Sequence, residues 1–448
     1  MVVTGIVDEG LGNSAYVVDL GDHGALVVDP ERDPRPYLAE LDRAGLRPRL
    51  VVETHLHADF VSGSRELIAE GEALLAPAGS KLAFPHRPLR DGDEVDLGGL
   101  TLRVIATPGH TPEHLSYLLL DGPEPLGLFS GGTLMTAGVA RTDLLSPAQT
   151  EPLARAAHRS IRERLFTLPD ELNVYPTHGA GSFCSIGAGT ERTTTIGAER
   201  RANPLLAGDV DEDAFVKRLL DGYGSYPPYF LELREVNRQG ARVYGSSLSP
   251  LPGLSVVELE EARAGGAELI DLRSIDAFAA GHVPGAVSNP WRESFATWLG
   301  WLVPRSTPLL FISDEAIDQQ DVAWGALNVG FENLAGVLTG GMPAWVEAGR
   351  PVSMIEIVRD PTGVGDRAIL DVRQGSEYNS GHHPTAIHVE LGSVADAAGE
   401  LPSDGLLVHC GHGERAMTAA SLLARAGHRD VAVFQGGPER LGDQVAES

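Results

Sequence analysis

Cysteine is almost absent from this sequence, since the 448 residues contain only Cys184 and Cys410. Two cysteines so far apart do not make the disulfide framework of a small secreted protein. The sequence also lacks any run of about 18 apolar residues, the length that crosses a bilayer. The first ten residues have neither a basic segment nor a long apolar run. We therefore expect no secretory signal and predict a cytoplasmic protein.

Basic residues are scarce relative to acidic ones. The chain carries 35 Lys and Arg against 62 Asp and Glu, which gives a formal net charge of −27. Such a charge repels phosphates, so we expect no nucleic acid and no membrane surface among the partners. A length of 448 residues predicts about three domains at roughly 150 residues each.

The C-terminal half of the chain contains an internal repeat. Residues whose numbers differ by one hundred agree at several special positions: Asp271 and Asp371, Arg273 and Arg373, Gly281 and Gly381, His282 and His382. Chance agreement at so many such residues is improbable. We predict four segments: an α/β domain at 1–205, a helical extension and linker at 206–252, and repeats at 253–352 and 353–448.

Three histidine motifs each follow a predicted strand in the N-terminal segment. They are Thr54–Asp59 (THLHAD), Thr107–Thr111 (TPGHT) and Tyr175–Gly179 (YPTHG). Strand ends can aim side chains at one point, and imidazole and carboxylate are the usual ligands of zinc and iron. The candidate metal ligands are His55, His57, Asp59, His110 and His178.

The order of these motifs resembles the metallo-β-lactamase superfamily over roughly residues 1–200. The segments Thr54–Gly63 and Phe129–Asp143 are most similar to persulfide dioxygenases, with glyoxalase II as a cousin. The resemblance implies one iron(II) held by two histidines, at His55 and His110, and by one aspartate. It also implies a low-molecular-weight thiol persulfide and O₂ as substrates.

Two positions depart from the family pattern. Gly132 replaces the aspartate of the Gly-Asp-Thr-Leu motif, and Phe60 replaces the last histidine of His-x-His-x-Asp-His. A second metal would lose both a terminal and a bridging ligand, which disfavours a dinuclear hydrolase. Three alternatives stay open: zinc on His55, His57 and His110; iron(II) completed by Asp59 or His178; and a domain without metal.

Residues around the predicted centre are further candidates. Arg141 and Asp143 match the family's Arg-Thr-Asp, and they either orient ligands or substrate or form a buried ion pair. Tyr175 is a candidate beside the substrate. Cys184 is either a sulfur acceptor or a plain loop residue.

Cys410 follows the apolar run Leu406–His409, and a helical pattern begins near Glu414. A cysteine between a strand and a helix N-terminus is placed for a stabilised thiolate, and the loop's N–H groups can cradle an anion. The six-residue loop resembles that of a rhodanese domain over about residues 355–445. The implied catalytic residues are Cys410, Gly411, His412, Gly413 and Arg415.

The rhodanese resemblance implies that Cys410 attacks a sulfane sulfur and holds it as a persulfide. Glu414 is an unfavourable neighbour for the thiosulfate dianion, so we expect a thiol persulfide or another sulfane sulfur donor. In the first repeat, Ser313 stands where the cysteine belongs, and Asp314 and Glu315 follow it. We predict that this repeat is inactive and serves as a spacer or docking surface.

The predicted fold class is α/β: an αββα metallo-β-lactamase sandwich followed by two α/β rhodanese-like domains with central parallel sheets. The favoured function is a persulfide dioxygenase–rhodanese fusion. The alternatives are a metal-dependent thioester hydrolase of glyoxalase II type, and a Cys410 sulfurtransferase with a metal-free N-terminal domain. The sequence leaves the oligomeric state open, including a homo-oligomer.

Overall fold

A computed structural model describes residues 2–68, 71–187, 189–208 and 210–441. The chain forms two compact units, one made of Met1–Leu248 with Trp324–Gly330 and one made of Ser249–Ala323 with Phe331–Ser448. The end of the predicted fourth segment, 442–448, lies outside the described residues. The four segment boundaries stay predictions.

Short strands dominate the first unit. Its strands are β1 (Val3–Asp8), β2 (Asn13–Asp19), β3 (Gly24–Val28), β4 (Arg47–Val52), β5 (Gly71–Pro77), β6 (His86–Leu89), β7 (Glu94–Asp96), β8 (Thr101–Ala106), β9 (Leu115–Asp121), β10 (Glu124–Gly131), β11 (Val139–Ala140), β12 (Asn173–Pro176), β13 (Ser185–Ile186) and β14 (Thr194–Thr195). Its helices are α1 (Arg35–Ala44), α2 (Ser64–Leu67), α3 (Pro147–Arg159), α4 (Ile196–Ala202), α5 (Glu212–Asp221) and α6 (Phe230–Gln239).

Two six-stranded sheets form the centre of the first unit, in the orders β1-β2-β3-β4-β5-β6 and β14-β12-β10-β9-β8-β7. Apolar side chains of both sheets meet in one core, for example Val18 from the first and Tyr117 from the second. Helix α1 packs Tyr37 and Leu41 on the outer face of the first sheet, and α3 and α5 cover the second. The predicted αββα sandwich is confirmed.

Local sequence signals set the ends of helix α1. A proline lies in its first turn, where no helical N–H partner is needed. Gly45 follows the last residue in the left-handed region, with φ 67°, and its N–H bonds back to the carbonyl of Asp42. The helix therefore stops where the chain must turn into β4.

Parallel sheets dominate the second unit. Its strands are β15 (Gly253–Leu254), β16 (Glu268–Asp271), β17 (Val287–Ser288), β18 (Leu309–Ile312), β19 (Leu334–Leu338), β20 (Glu356–Val358), β21 (Ala368–Asp371), β22 (Ile387–His388), β23 (Asp404–His409) and β24 (Arg429–Phe434). The helices along this part of the chain are α7 (Val256–Ala264), α8 (Ile275–Ala280), α9 (Phe295–Leu302), α10 (Gln319–Asn328), α11 (Gly341–Glu347), α12 (Gly375–Asn379), α13 (Val394–Ala397) and α14 (Glu414–Arg425).

The two repeats have the same topology. Their five-stranded sheets run in the orders β15-β19-β18-β16-β17 and β20-β24-β23-β21-β22, with parallel pairing. Each repeat also contains the same buried ion pair, Arg273–Asp271 at 2.6 Å and Arg373–Asp371 at 2.6 Å. The predicted pair of α/β domains with central parallel sheets is confirmed.

Within the described ranges, no helix combines the length and the apolar character that a bilayer crossing requires.

Candidate functional site

Three histidines meet where strands of the sandwich end. His55 follows β4, His110 follows β8, and His178 follows β12. One ligand atom from each lies within 4.8 Å of the other two, and all three side chains are buried. The sequence motifs predicted these residues, and the fold brings them to one point.

Hydrogen bonds determine which nitrogen of His178 carries its proton. Asn13 donates its Nδ2 hydrogen to Oδ2 of Asp59 at 2.8 Å, which orients the amide. The Asn13 Oδ1 atom then faces Nδ1 of His178 at 2.8 Å. Because an amide oxygen only accepts, Nδ1 must donate, and Nε2 of His178 carries a lone pair.

His55 and His110 are held in the same tautomer. The Thr54 hydroxyl donates to Oδ2 of Asp29 at 2.6 Å, so its oxygen accepts from Nδ1 of His55 at 2.8 Å. The Nδ1 atom of His110 donates to the backbone oxygen of Arg141 at 2.6 Å. Both Nε2 atoms therefore also carry lone pairs, as in metal sites where the second ring nitrogen is anchored.

The three lone pairs fit a single metal ion. The Nε2 atoms of His55 and His178 lie 3.3 Å apart, and Nε2 of His110 is buried with no hydrogen-bond partner in the described chain. A metal about 2.1 Å from each nitrogen separates tetrahedral ligands by roughly 3.4 Å. Burial and the neighbouring histidines lower the pKa of His55 and of His110, which keeps both rings neutral for coordination.

His57 is held by two carboxylates. Its Nε2 atom lies 3.0 Å from Oε2 of Glu53 and 3.3 Å from Oδ1 of Asp29. Burial alone would lower the pKa of His57, but Asp29 and Glu53 raise it to about 10. The three clustered Nε2 atoms belong to His55, His110 and His178. The zinc alternative from the sequence had His57 in place of His178.

Asp59 lies beside this trio. One ligand atom each from Asp59, His57 and His178 lies within 4.8 Å of the others. Oδ1 of Asp59 and Nδ1 of His57 are buried and unpartnered within the described chain. Burial raises the pKa of Asp59, but His178 outweighs it, so the carboxyl group is ionised. All five predicted ligand residues thus belong to overlapping groups of buried ligand atoms.

A side chain at Gly132, where the family has its aspartate, would require His110 or Ala140 to shift by a few tenths of an ångström. A Cβ atom at Gly132 would lie 3.0 Å from Cδ2 of His110 and 3.0 Å from Cβ of Ala140. His114, which sequence reasoning missed, supports this turn, because its Nε2 atom accepts from the Gly132 N–H at 3.0 Å. Burial lowers the pKa of His114 to about 3. The sequence signal that could have identified His114 was its position four residues after His110.

The remaining candidates of this domain have structural contacts. Arg141 forms a buried ion pair with Asp143 at 2.7 Å, and its guanidinium lies over the ring of Tyr226. Tyr175 packs with Tyr16 and Phe129 in the core between the sheets.

Cys184 is fully buried, and burial together with the Asp59 charge raises its pKa. Sequence reasoning also missed Asn13 and Glu53, which carry no motif.

Cys410 lies between β23 and α14, at the start of a tight loop. The backbone N–H of Gly413 donates to its Sγ atom at 3.2 Å. Gly413 has φ 118°, a region that favours glycine, and directly precedes helix α14. Gly411 has open space where a Cβ would be, and His412 is exposed. The loop thus directs an N–H group at the sulfur, next to the positive end of a helix.

Arg415 is paired with Glu377, a residue that sequence reasoning missed. Its Nη1 and Nη2 atoms donate to the two carboxylate oxygens at 2.6 and 2.8 Å. Burial lowers the pKa of Arg415, but the ion pair with Glu377 outweighs burial and the net shift is upward. The guanidinium is therefore charged. The pair fixes the first turn of α14 beside Cys410.

Strand register makes Ser313 the counterpart of Cys410. Asp271 pairs with Ile312 in the first repeat, and Asp371 pairs with His409 in the second. Ser313 and Cys410 are the next residues along each strand. The predicted inactivity of the first repeat stays a prediction.

Comparisons with known proteins agree with this architecture. Residues 8–178 match the metallo-beta-lactamase superfamily, and residues 255–348 and 355–441 match the rhodanese-like domain. A crystal structure of a metallo-beta-lactamase from Staphylococcus aureus subsp. aureus COL superposes with a TM-score of 0.66 at 27% identity. That match covers 75% of this chain and 98% of the other.

Two curated relatives match the N-terminal region. The mitochondrial persulfide dioxygenase ETHE1 of Homo sapiens is 32% identical over 197 residues, which cover 43% of this chain and 70% of that protein. A hydroxyacylglutathione hydrolase of Methylobacillus flagellatus is 40% identical over 167 residues, covering 36% of this chain. The chain spans 61% of that hydrolase, less than two thirds of its length.

The sandwich and its histidine cluster are those of a metallo-beta-lactamase-fold domain. The chain belongs to the metallo-beta-lactamase superfamily, is homologous to persulfide dioxygenases, and continues into two rhodanese-like domains. The recognition of this fusion from the sequence is confirmed.

Proposed function

We propose that this chain is an enzyme of sulfur metabolism that transfers sulfane sulfur through Cys410 and oxidises a thiol persulfide at the histidine centre. The hydrogen bond from the Gly413 N–H to Cys410 Sγ carries the proposal for sulfur transfer. A sulfur atom that accepts this bond at a helix N-terminus is stabilised as an anion. The homology with persulfide dioxygenases supports the second activity.

The transfer at Cys410 takes two displacement steps. The thiolate attacks the outer sulfur of a persulfide, RS–SH, the donor S–S bond breaks, and RS⁻ leaves with the electron pair. Cys410 then holds a persulfide, whose outer sulfur is attacked by a nucleophilic acceptor, and the thiolate returns. No external oxidant is required, because one S–S bond replaces another in each step.

Substrate charge tests the choice of donor. Glu414 begins α14 directly beyond the loop, so its negative charge opposes the binding of a dianion such as thiosulfate. We expect kcat/KM for a low-molecular-weight persulfide to exceed that for thiosulfate. Steady-state assays of both donors, with Cys410→Ser as the blank, measure the ratio. A strong preference for thiosulfate contradicts this donor assignment.

At the histidine centre, the proposed reaction is RSSH + O₂ + H₂O → RSH + SO₃²⁻ + 2 H⁺. The outer sulfur is oxidised and O₂ is reduced, and a ferrous ion held by His55, His110 and His178 would supply the redox chemistry when bound. Asn13 and Thr54 keep the ligand rings in the coordinating tautomer. Burial of the site excludes bulk water from the reacting sulfur.

Metal analysis of protein purified anaerobically without added metal tests this centre. We expect near-stoichiometric iron in the native chain, loss of iron in His55→Ala, and O₂ uptake with persulfides. Protein that neither contains nor binds metal would leave sulfur transfer at Cys410 as the only proposed activity. Zinc with thioester hydrolysis and no O₂ uptake would instead identify a hydrolase.

A further inference from the structure

Arg292 of the first repeat has a buried, unpartnered donor. It lies in the segment between β17 and α9, which is anchored to the end of β16. Asn289 donates its N–H to the Asp271 carbonyl at 3.0 Å, and Trp291 donates to the Leu272 carbonyl at 2.8 Å. Within the described chain, the buried Nε of Arg292 has no hydrogen-bond partner. A buried guanidinium donor of this kind is costly unless a ligand or an ordered water accepts its hydrogen.

The charged neighbours of Arg292 belong to the second repeat. Burial lowers the pKa of Arg292, whereas Glu414 and the Cys410 thiolate raise it and Arg415 lowers it. The Arg292 guanidinium is therefore within electrostatic range of the sulfur-transfer loop. Its electrostatic partners are the reacting sulfur and the first turn of α14.

The two repeats pack closely around this loop. A Cβ at Gly413 would lie 3.0 Å from Cδ1 of Ile275 in the first repeat. The Ser288 N–H donates to Oγ of Ser421 on α14 at 3.1 Å. This contact comes four residues before Arg292 along the chain, so the segment that carries Arg292 is fixed against the helix that follows Cys410.

Of the two repeats, the first has an arginine at this position and the second does not. The one-hundred-residue shift that relates the repeats makes Gly392 the counterpart of Arg292. The repeat with Ser313 thus supplies an arginine toward Cys410, while its partner has glycine at the corresponding position. A Cβ at Gly392 would overlap the Trp301 ring. The repeat that lacks the cysteine therefore has the arginine, and the repeat that has the cysteine has glycine.

Arg415 is not available for the same role. Both terminal nitrogens of Arg415 are bonded to Glu377. A negative group arriving at Cys410 therefore needs another cation to offset its charge and that of Glu414. Arg292 supplies a guanidinium with an unused donor, suited to an oxyanion.

We propose that Arg292 is a substrate-binding residue that completes the Cys410 site from the first repeat and binds an anionic sulfur acceptor, a small sulfur oxyanion such as sulfite. The proposal rests on sulfur transfer at Cys410. Sulfite attacks the outer sulfur of the Cys410 persulfide, the S–S bond breaks, the electron pair returns to Cys410 as thiolate, and thiosulfate leaves. The repeat without cysteine thereby contributes to the chemistry of the other.

Alkylation of Cys410 tests the charge independently of turnover. Iodoacetate is anionic and iodoacetamide is neutral. The alkylation rate with iodoacetate divided by the rate with iodoacetamide therefore reports positive charge near the Cys410 thiolate. In the full-length chain, we expect Arg292→Gln to lower this ratio about three- to tenfold, the size expected for removing one nearby charge. Arg350→Gln in the same repeat, which loses a surface ion pair with Glu260, is the matched control.

Steady-state kinetics test the binding role. With glutathione persulfide as donor, we expect Arg292→Gln to raise KM for sulfite about tenfold while kcat changes less than about twofold, because uniform binding is lost. Arg292→Lys should recover part of the KM and of the alkylation ratio, and thermal unfolding checks that both variants fold.

Unchanged KM and an unchanged alkylation ratio in Arg292→Gln would overturn the role of Arg292. Sulfur transfer that survives in Cys410→Ser would instead overturn the proposed function, whatever the alkylation ratio shows. The two failures are therefore distinguishable.

Discussion

Side-chain hydrogen bonds, and not the sequence motif alone, orient His178 in the candidate metal centre. Its Nδ1 atom bonds to Asn13, which is itself held by Asp59. We expect His178→Ala to lower metal affinity by at least 100-fold, because removal of a ligand costs more than the 10–100-fold typical of an outer partner. Asn13→Ala should cost about 10-fold through loss of the tautomer.

Metal titration of the apoprotein, followed by elemental analysis, measures both effects. His23→Asn is the control, because His23 is exposed on a turn with φ 63°, a conformation that asparagine tolerates. Full metal binding in His178→Ala would show that the centre uses another ligand set.

Sequence motifs could predict the residues of this centre but not their roles. HxHxD and two later histidines indicate a metal site whatever the ring orientation is. The choice between His57 and His178 depends on Glu53 and Asp29, which are bonded to His57. Such contacts join distant strands, and no spacing encodes them. Arg292 was missed because only packing of the repeats brings it near Cys410.

Glu31 carries a buried carboxyl group whose protonation affects stability. Burial and the adjacent Asp8 raise its pKa well above the usual value, and Asn328 donates to its Oε2 at 2.7 Å. A carboxyl with a raised pKa binds its proton more tightly in the folded state. The free energy of unfolding therefore falls as pH rises from about 4.5 toward the folded-state pKa.

We expect Glu31→Gln to remove that loss, because the amide cannot ionise. The variant should match the native chain near pH 4.5 and be more stable above it, by about 1.4 kcal/mol for each unit of the pKa difference that is traversed. Urea unfolding at several pH values measures the profile, with exposed Glu124→Gln as control. A variant that is less stable at pH 8 would contradict an uncharged Glu31.

At the scale of elements, the junction of β23 and α14 depends on one glycine. Gly413 combines φ 118° with a site where a Cβ would press on Ile275. We expect Gly413→Ala to lower the free energy of unfolding by about 1–3 kcal/mol, the cost of a strained non-glycine backbone. Gly411→Ala is the matched control, because open space surrounds that position.

Denaturant unfolding of both full-length variants measures the difference. Equal stability of the two would mean that the loop relaxes without cost. The comparison separates backbone strain from side-chain chemistry, because neither substitution adds a polar group.

Element order was predictable wherever a physical signal repeats along the chain. The shift of one hundred residues relates β16 to β21 and α8 to α12, and both repeats fold alike. The repeats end in similar glycine pairs, Gly340-Gly341 and Gly436-Gly437, and aligning these pairs with one inserted residue matches Ser313 with Cys410. Strand register places both residues directly after the equivalent strand. The two units were less predictable, because Trp324–Gly330 joins the first unit through tertiary contacts.

At the scale of the whole molecule, net charge opposes the approach of anionic substrates. The chain carries −27, and near Cys410 the charges of Arg292 and Arg415 are balanced by Glu414 and Glu377. The long-range field is therefore negative while the local field is close to balanced. Salt screens the long-range part first, since the Debye length is about 10 Å at 0.1 M.

We therefore expect kcat/KM for anionic donors at Cys410 to rise about twofold between 50 and 500 mM salt, the sign opposite to that of a positively steered site. Alkylation of Cys410 by neutral iodoacetamide at fixed pH is the control and should change little. A rate that falls with salt would mean that the field of Arg292 and Arg415 extends beyond the loop and outweighs the rest of the chain. The acidic composition then would serve solubility without slowing the encounter, and the arginine from the first repeat would act on association as well as on binding.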